Sequence, residues 1–261
     1  MNWLHSTEAW TSRLLGAALV LQTLELVQIR AALRDDGVFA WPVLRREHAR
    51  LPALVRALFA PFLPYSRFVV LAWFRLGLAL VLLAGESRAA PFLLFTQVAV
   101  CVRFRGTFNG GSDYMTVLVL LGLTLPALFG SSPLVATAGY CYVAVQLVFS
   151  YFIAGLVKWR EPSWRSGTAL ARFTNDPRFR SPRWARALFE KPRVGTLACW
   201  AVIAFECTFP VALVDGRATL AYAIFGATFH LFNVVVFGLN RFFFAWSAAY
   251  PALFLASHLR G

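Results

Sequence analysis

The chain is poor in charge. Charged residues make up 14% of its 261 residues, against about 25% in an ordinary soluble domain. Lysine is almost missing: of the 25 basic residues, only Lys158 and Lys191 are not arginine. No C-x-x-C pair occurs. Cys101, Cys141, Cys199 and Cys207 fall singly in apolar runs and read as small buried hydrophobes. The four histidines are scattered with no pair at ligand spacing, so no metal is expected. The opening "MNWLHSTEAWTSR" lacks the basic start of a secretory signal, and the first apolar run is long enough to span. Alternating segments of about ten residues are absent, which excludes a transmembrane barrel. No repeat, heptad or low-complexity segment stands out.

What remains is apolar: 59% of the residues are hydrophobic, in long runs from end to end. The expected fold is all-α, a polytopic transmembrane helical bundle forming a single integral membrane domain over 1–261. Eight spans are expected, at about 12–33, 65–85, 90–105, 113–130, 134–158, 194–214, 218–238 and 241–258. Two interfacial regions complete it. In "LRREHARLPALVRALFAPFLP", Leu51, Leu54, Val55, Leu58 and Phe59 recur at helical spacing with arginines opposite, which predicts a helix lying on the bilayer. Residues 159–193 form the second. Asn175-Asp176-Pro177 signals a turn there, and Ser181-Pro182 reads as the start of a short helix through "RWARALFEK".

The loops after spans one, three, five and seven, with their flanks, carry 19 of the 25 Lys and Arg. That bias places those loops in the cytoplasm and both termini outside. The net charge of +13 lies in loops, so the expected partners are anionic membrane lipids and not nucleic acid.

Ionisable groups inside spans cost about 2.5–3.5 kcal/mol each at a helix centre on insertion scales, which makes each a functional candidate. Here they are Glu25, Arg75, Asp113, Lys158, Glu206 and His230. Glu25 and Arg75 read as a pair; Asp113 lies near a span end and reads as a cap. Lys158 ends an apolar run in a chain that otherwise chooses arginine. An ammonium can lose its proton and act as a base, whereas a guanidinium cannot. His230 and Asn233 share a helix face. Glu206 precedes Pro210, which weakens the helix locally. Lys158, Glu206, His230 and Asn233 are therefore expected to line one cavity walled by Tyr151, Trp159 and Phe229, suited to a flat ring.

"YFIAGLVKW" followed by "WRSG", and "FHLFNVVVFGLNRFFFAWSAAYPALF", resemble the lysine-bearing stretch and the later His-x-x-Asn helix pair of vitamin K-dependent gamma-carboxylase. "SRLLGAALVL" is similar to that enzyme's first span. Together they point to the horizontally transferred transmembrane domain (HTTM) family. That family includes the carboxylase and short bacterial proteins, among them one needed to mature a sporulation-delaying peptide toxin. "FNGGSDYMTVLVLL" and "SGTALARFTNDPRF" look more like the bacterial branch. The resemblance implies a bacterial inner-membrane protein with Lys158 as the base that deprotonates a reduced quinone of the vitamin K type. Trp164 and the segment holding Asn109 and Asp113 would contact the ligand. The carboxylase has a functional histidine where this chain has 108–114, and a large soluble domain beyond its membrane part. Full carboxylation of protein glutamates is therefore not expected. Three readings stay open: a quinol-dependent enzyme, a maturation factor for a secreted peptide acting with partner membrane proteins, and a non-catalytic carrier or structural protein.

Overall fold

A computed structural model describes residues 3–104, 110–129 and 132–259. Among these residues the chain is helical throughout, with no strand. Helix α1 (Trp3–Gln28) is followed by two short helices, α2 (Trp41–His48) and α3 (Ala53–Phe59). Then come α4 (Tyr65–Leu83), α5 (Ala90–Arg103), α6 (Gly111–Phe129) and α7 (Pro133–Arg160). Three short helices cross the 159–193 region: α8 (Pro162–Arg165), α9 (Ala169–Asn175) and α10 (Arg183–Phe189). The chain ends with α11 (Pro192–Thr208), a tighter turn over Phe209–Leu213, α12 (Gly216–Phe237), α13 (Asn240–Ser247) and α14 (Tyr250–His258).

Among the described residues, five helical segments are long and apolar enough to cross a membrane: Tyr65–Leu83, Gly111–Phe129, Pro133–Arg160, Pro192–Leu213 and Gly216–Phe237. Eight were expected, and the differences have local causes. Helix α5 has 14 residues, about 21 Å, short of a hydrocarbon core about 30 Å thick. The run expected as the last span breaks at Ala248–Ala249. Pro251 then sits in the first turn of α14, where its missing N–H costs nothing. Helix α1 is long, but Glu8, Arg13 and Glu25 interrupt its apolar character.

The main core joins α1, α4, α6, α7 and α14 through fully buried side chains such as Leu15, Leu82, Leu123, Leu147 and Leu253. A smaller core of Ala169, Leu170, Phe189 and Cys199, with Trp164 and Phe232 packed on it, fastens the 161–191 segment onto α11 and α12. Asn175 ends α9 at the expected turn, and α10 starts at Arg183 with no side-chain cap from Ser181.

Two expectations about the first half are corrected. The amphipathic helix over 44–64 is split, because Pro52 disfavours helical backbone at the residue before it. Phe59 turns inward and is buried, while Leu54 and Leu58 remain 79% and 51% exposed. Nor does Arg75 pair with Glu25. Its guanidinium is fully buried and donates to Thr23 and Gln22 of α1 and to Thr96 and Gln97 of α5, at 2.5–3.3 Å. Glu25 instead takes hydrogen bonds from Arg241 and Asn240 at the start of α13.

Candidate functional site

Lys158, two residues before the end of α7, faces Glu206 on α11. Its Nζ lies 2.6 Å and 2.9 Å from the two carboxylate oxygens. The Glu206 side chain is 4% exposed and that of Lys158 21% exposed, so the pair is largely removed from water. The helices come this close because residue 155 is glycine. A Cβ there would lie 2.6 Å from the Cys207 backbone nitrogen. One turn beyond Gly155, Lys158 therefore projects against Glu206. Pro210 cannot continue the α11 hydrogen-bond ladder, and the helix tightens over Phe209–Leu213 just past the carboxylate.

On α12, His230 is buried, with its Nε2 2.8 Å from the Tyr151 hydroxyl. The Tyr151 hydroxyl lies 2.8 Å from that of Tyr250. His230 Nδ1 is buried with no hydrogen-bond partner in the protein. Asn233 follows one turn later. Lys158, Glu206, His230, Asn233 and Tyr151 all line one cavity of about 290 Å³.

The rest of the wall is aromatic. Phe229 and Phe237 come from α12, Phe242 and Trp246 from α13, and Trp164, Phe173 and Phe179 from the 161–191 segment. The Lys158 ammonium stands 5.3 Å from the Trp164 ring centre, within cation–π range. Ser150, Tyr151, Ala154 and Lys158 supply the α7 wall at helical spacing.

Of the residues expected at the site, the structure brings Lys158, Glu206, His230, Asn233, Tyr151, Phe229 and Trp164 to this cavity. It does not bring Trp159, which is 51% exposed on another face of α7. Asp113 is buried behind the wall, with its Oδ1 3.7 Å from Arg241 Nη1. It thus belongs with Glu25 to the ionic cluster that anchors α13, which carries Phe242 and Trp246. Asn109 lies outside the described residues. The α13 rings, Tyr250, Phe173 and Phe179 were not among the expected site residues. Their signal was present as closely spaced aromatics in "NRFFFAWSAAY" and "ALARFTNDPRF".

The family model of the HTTM domain matches residues 130–258. This stretch of the chain is similar to the HTTM domain. No curated protein and no solved structure matches the chain. With its apolar helices, the HTTM domain makes this a multi-pass integral membrane protein. Every cavity residue described above falls inside the HTTM stretch. The first six helices lie outside it, and buttress it through α1, α6 and the Glu25–Arg241–Asp113 cluster.

The cavity combines aromatic walls with a few polar groups. Its walls are rings, and its polar groups are an ammonium, a carboxylate, an amide and an imidazole nitrogen without a protein partner. Among the described residues no cluster of His, Cys, Asp or Glu could hold a metal.

Proposed function

We propose that this is a membrane enzyme whose cavity binds a lipid-soluble quinol, or a similar ring alcohol, and takes a proton from its hydroxyl. The observation that carries the reading is the Lys158–Glu206 pair opening onto an aromatic cavity it shares with His230 and Asn233. The resemblance to the gamma-carboxylase supports the ligand class and the part of Lys158.

A quinol held there supplies an ionisable ring hydroxyl. In the resting pair the ammonium has no lone pair, so Lys158 first passes a proton to Glu206 across 2.6 Å. The neutral amine then accepts the ligand's proton and is an ammonium again, now beside a protonated Glu206. One proton has moved from ligand to carboxyl, and the cation stands next to the oxygen left behind. Little water reaches this pair, which strengthens that attraction. Trp164, Phe229 and Trp246 hold the ring and exclude solvent.

Mass spectrometry of organic extracts from the purified protein is the first test, and a quinone recovered in near-stoichiometric amount is the expected result. A fluorescent naphthol tests the proton step. Bound to the native protein, it should ionise at lower pH than in empty detergent micelles. Lys158→Met should remove that shift, because the cation that stands beside the ionised oxygen is then gone. A naphthol that binds with no change in its ionisation would leave a carrier and not a base.

A further inference from the structure

The buried chain His230–Tyr151–Tyr250 has a direction, and the direction decides what His230 offers the cavity. Two contacts define it. Tyr151 Oη lies 2.8 Å from His230 Nε2 and 2.8 Å from Tyr250 Oη. Tyr151 is thus in the middle, with one proton to give and two neighbours. Among the described residues, Tyr250 Oη has no hydrogen-bond partner other than Tyr151. His230 Nδ1 has none within the protein, and it belongs to a residue lining the cavity.

A neutral imidazole carries its proton on one nitrogen only, and the partner of the other nitrogen selects which. If Nε2 carried it, Nε2–H would donate to Tyr151, Tyr151 would donate to Tyr250, and the Tyr250 proton would be buried with no acceptor. If Nδ1 carries it, Tyr250 donates to Tyr151 and Tyr151 donates to Nε2. Every hydroxyl proton then has an acceptor. The one donor left over is Nδ1–H, buried on the ring of a residue that lines the cavity. Buried donors without acceptors are rare because they are costly. Gly226 adds an independent sign that the two hydroxyls are meant to meet. A Cβ there would lie 2.4 Å from Tyr250 Oη and 3.1 Å from Tyr151 Oη.

We infer that Tyr250 and Tyr151 are positioning residues that hold His230 in the Nδ1–H tautomer, so that His230 enters the cavity as a hydrogen-bond donor to a ligand oxygen. The cavity then recognises a ring with two different oxygens. One is a hydroxyl that loses its proton at Lys158–Glu206. The other is a carbonyl or incipient oxyanion that accepts from Nδ1. That ligand pattern rests on the proposed function; the tautomer does not.

The test is nitrogen NMR on the full chain, labelled with ¹⁵N-histidine and held in lipid bilayers without added ligand. The protein has four histidines, so subtracting the spectrum of His230→Gln identifies the signal. A protonated Nδ1 and a bare Nε2 are expected in the native protein. In Tyr151→Phe, which removes the donor to Nε2, the second tautomer should appear. Tyr250→Phe should leave the Nδ1–H form in place, because Tyr151 still has Nε2 as its acceptor. A native spectrum with Nε2 protonated, or with both nitrogens protonated, would overturn the inference. So would a Tyr151→Phe spectrum identical to the native one. If His230→Gln fails to fold, subtracting the spectra of His5→Gln, His48→Gln and His258→Gln in turn assigns the same signal by elimination. An Nδ1–H signal in a protein that binds no quinol would sink the proposed function and leave this inference standing.

Discussion

Arginine in place of Lys158 keeps the charge and discards the chemistry. A guanidinium does not release a proton to Glu206, so Lys158→Arg should lower the proton-transfer rate about 100-fold or more. The chain should still insert and accumulate, since both side chains satisfy the carboxylate. Turnover compared with protein level in membranes measures this, and an active Lys158→Arg would reduce Lys158 to an anchor. Gly226→Ala sets two effects against each other. Alanine gains about 0.5–1 kcal/mol of helix propensity. Its methyl must also displace the Tyr250 hydroxyl from 2.4 Å, and overpacking of this kind costs about 1–3 kcal/mol. The second effect is larger, so the melting temperature in detergent should fall. At this scale the sequence was legible where charge stood out from apolar surroundings, as at Lys158, Glu206 and His230. Phe242, Trp246 and Tyr250 were hidden because rings in an apolar run read as ordinary packing. Trp159 misled because its sequence neighbour is Lys158, yet adjacent residues on a helix point about 100° apart.

Among the elements, α3 offers a clear experiment. Leu54 and Leu58 are exposed in the folded chain while Phe59 packs inward, so their expected cover is lipid. Burying a leucine is worth about 1.5–3 kcal/mol. Replacing both with glutamate should therefore lift α3 off the bilayer and open the bond after Arg56 to trypsin in vesicles where the native chain resists. The neighbouring α2 should respond to acid. Burial, and then the charge of Arg56, lower the His48 pKa from 6.5. The folded form thus prefers the neutral imidazole. Its contribution is present above the unfolded value of 6.5 and is lost as pH falls below it. Hydrogen exchange over residues 41–48 should rise on acidification by more than the chemical rate change requires. Helix type was readable from long apolar runs, and the segments of the 159–193 region from their turn residues. Helix breaks were harder to see. Pro52 and Pro251 each end a run that hydrophobicity alone continues, whereas the shortness of α5 was already legible in the brief apolar run over 90–105.

For the molecule as a whole, the loop charges predict which way it faces. The Lys and Arg bias of the loops predicts that the 159–193 segment lies in the cytoplasm. Ser166 in that segment is exposed. A cysteine placed there should resist a membrane-impermeant maleimide in intact cells and react after lysis. Labelling from outside would reverse the orientation, and would put the cavity under the opposite leaflet.

Arg75 has a consequence for how such a chain is made. Its side chain is buried at 1% exposure, and its acceptors come from α1, before it, and from α5, after it. A ribosome delivers α4 before Thr96 and Gln97 exist. During that interval the guanidinium in the nascent α4 has only the α1 side of its cradle, at a depth where a lone charge is expensive. Helix α5, too short to cross easily alone, carries the missing half. Each helix therefore lacks what the other supplies, and the two are best handed to the lipid together, as a hairpin that leaves the translocon in one step.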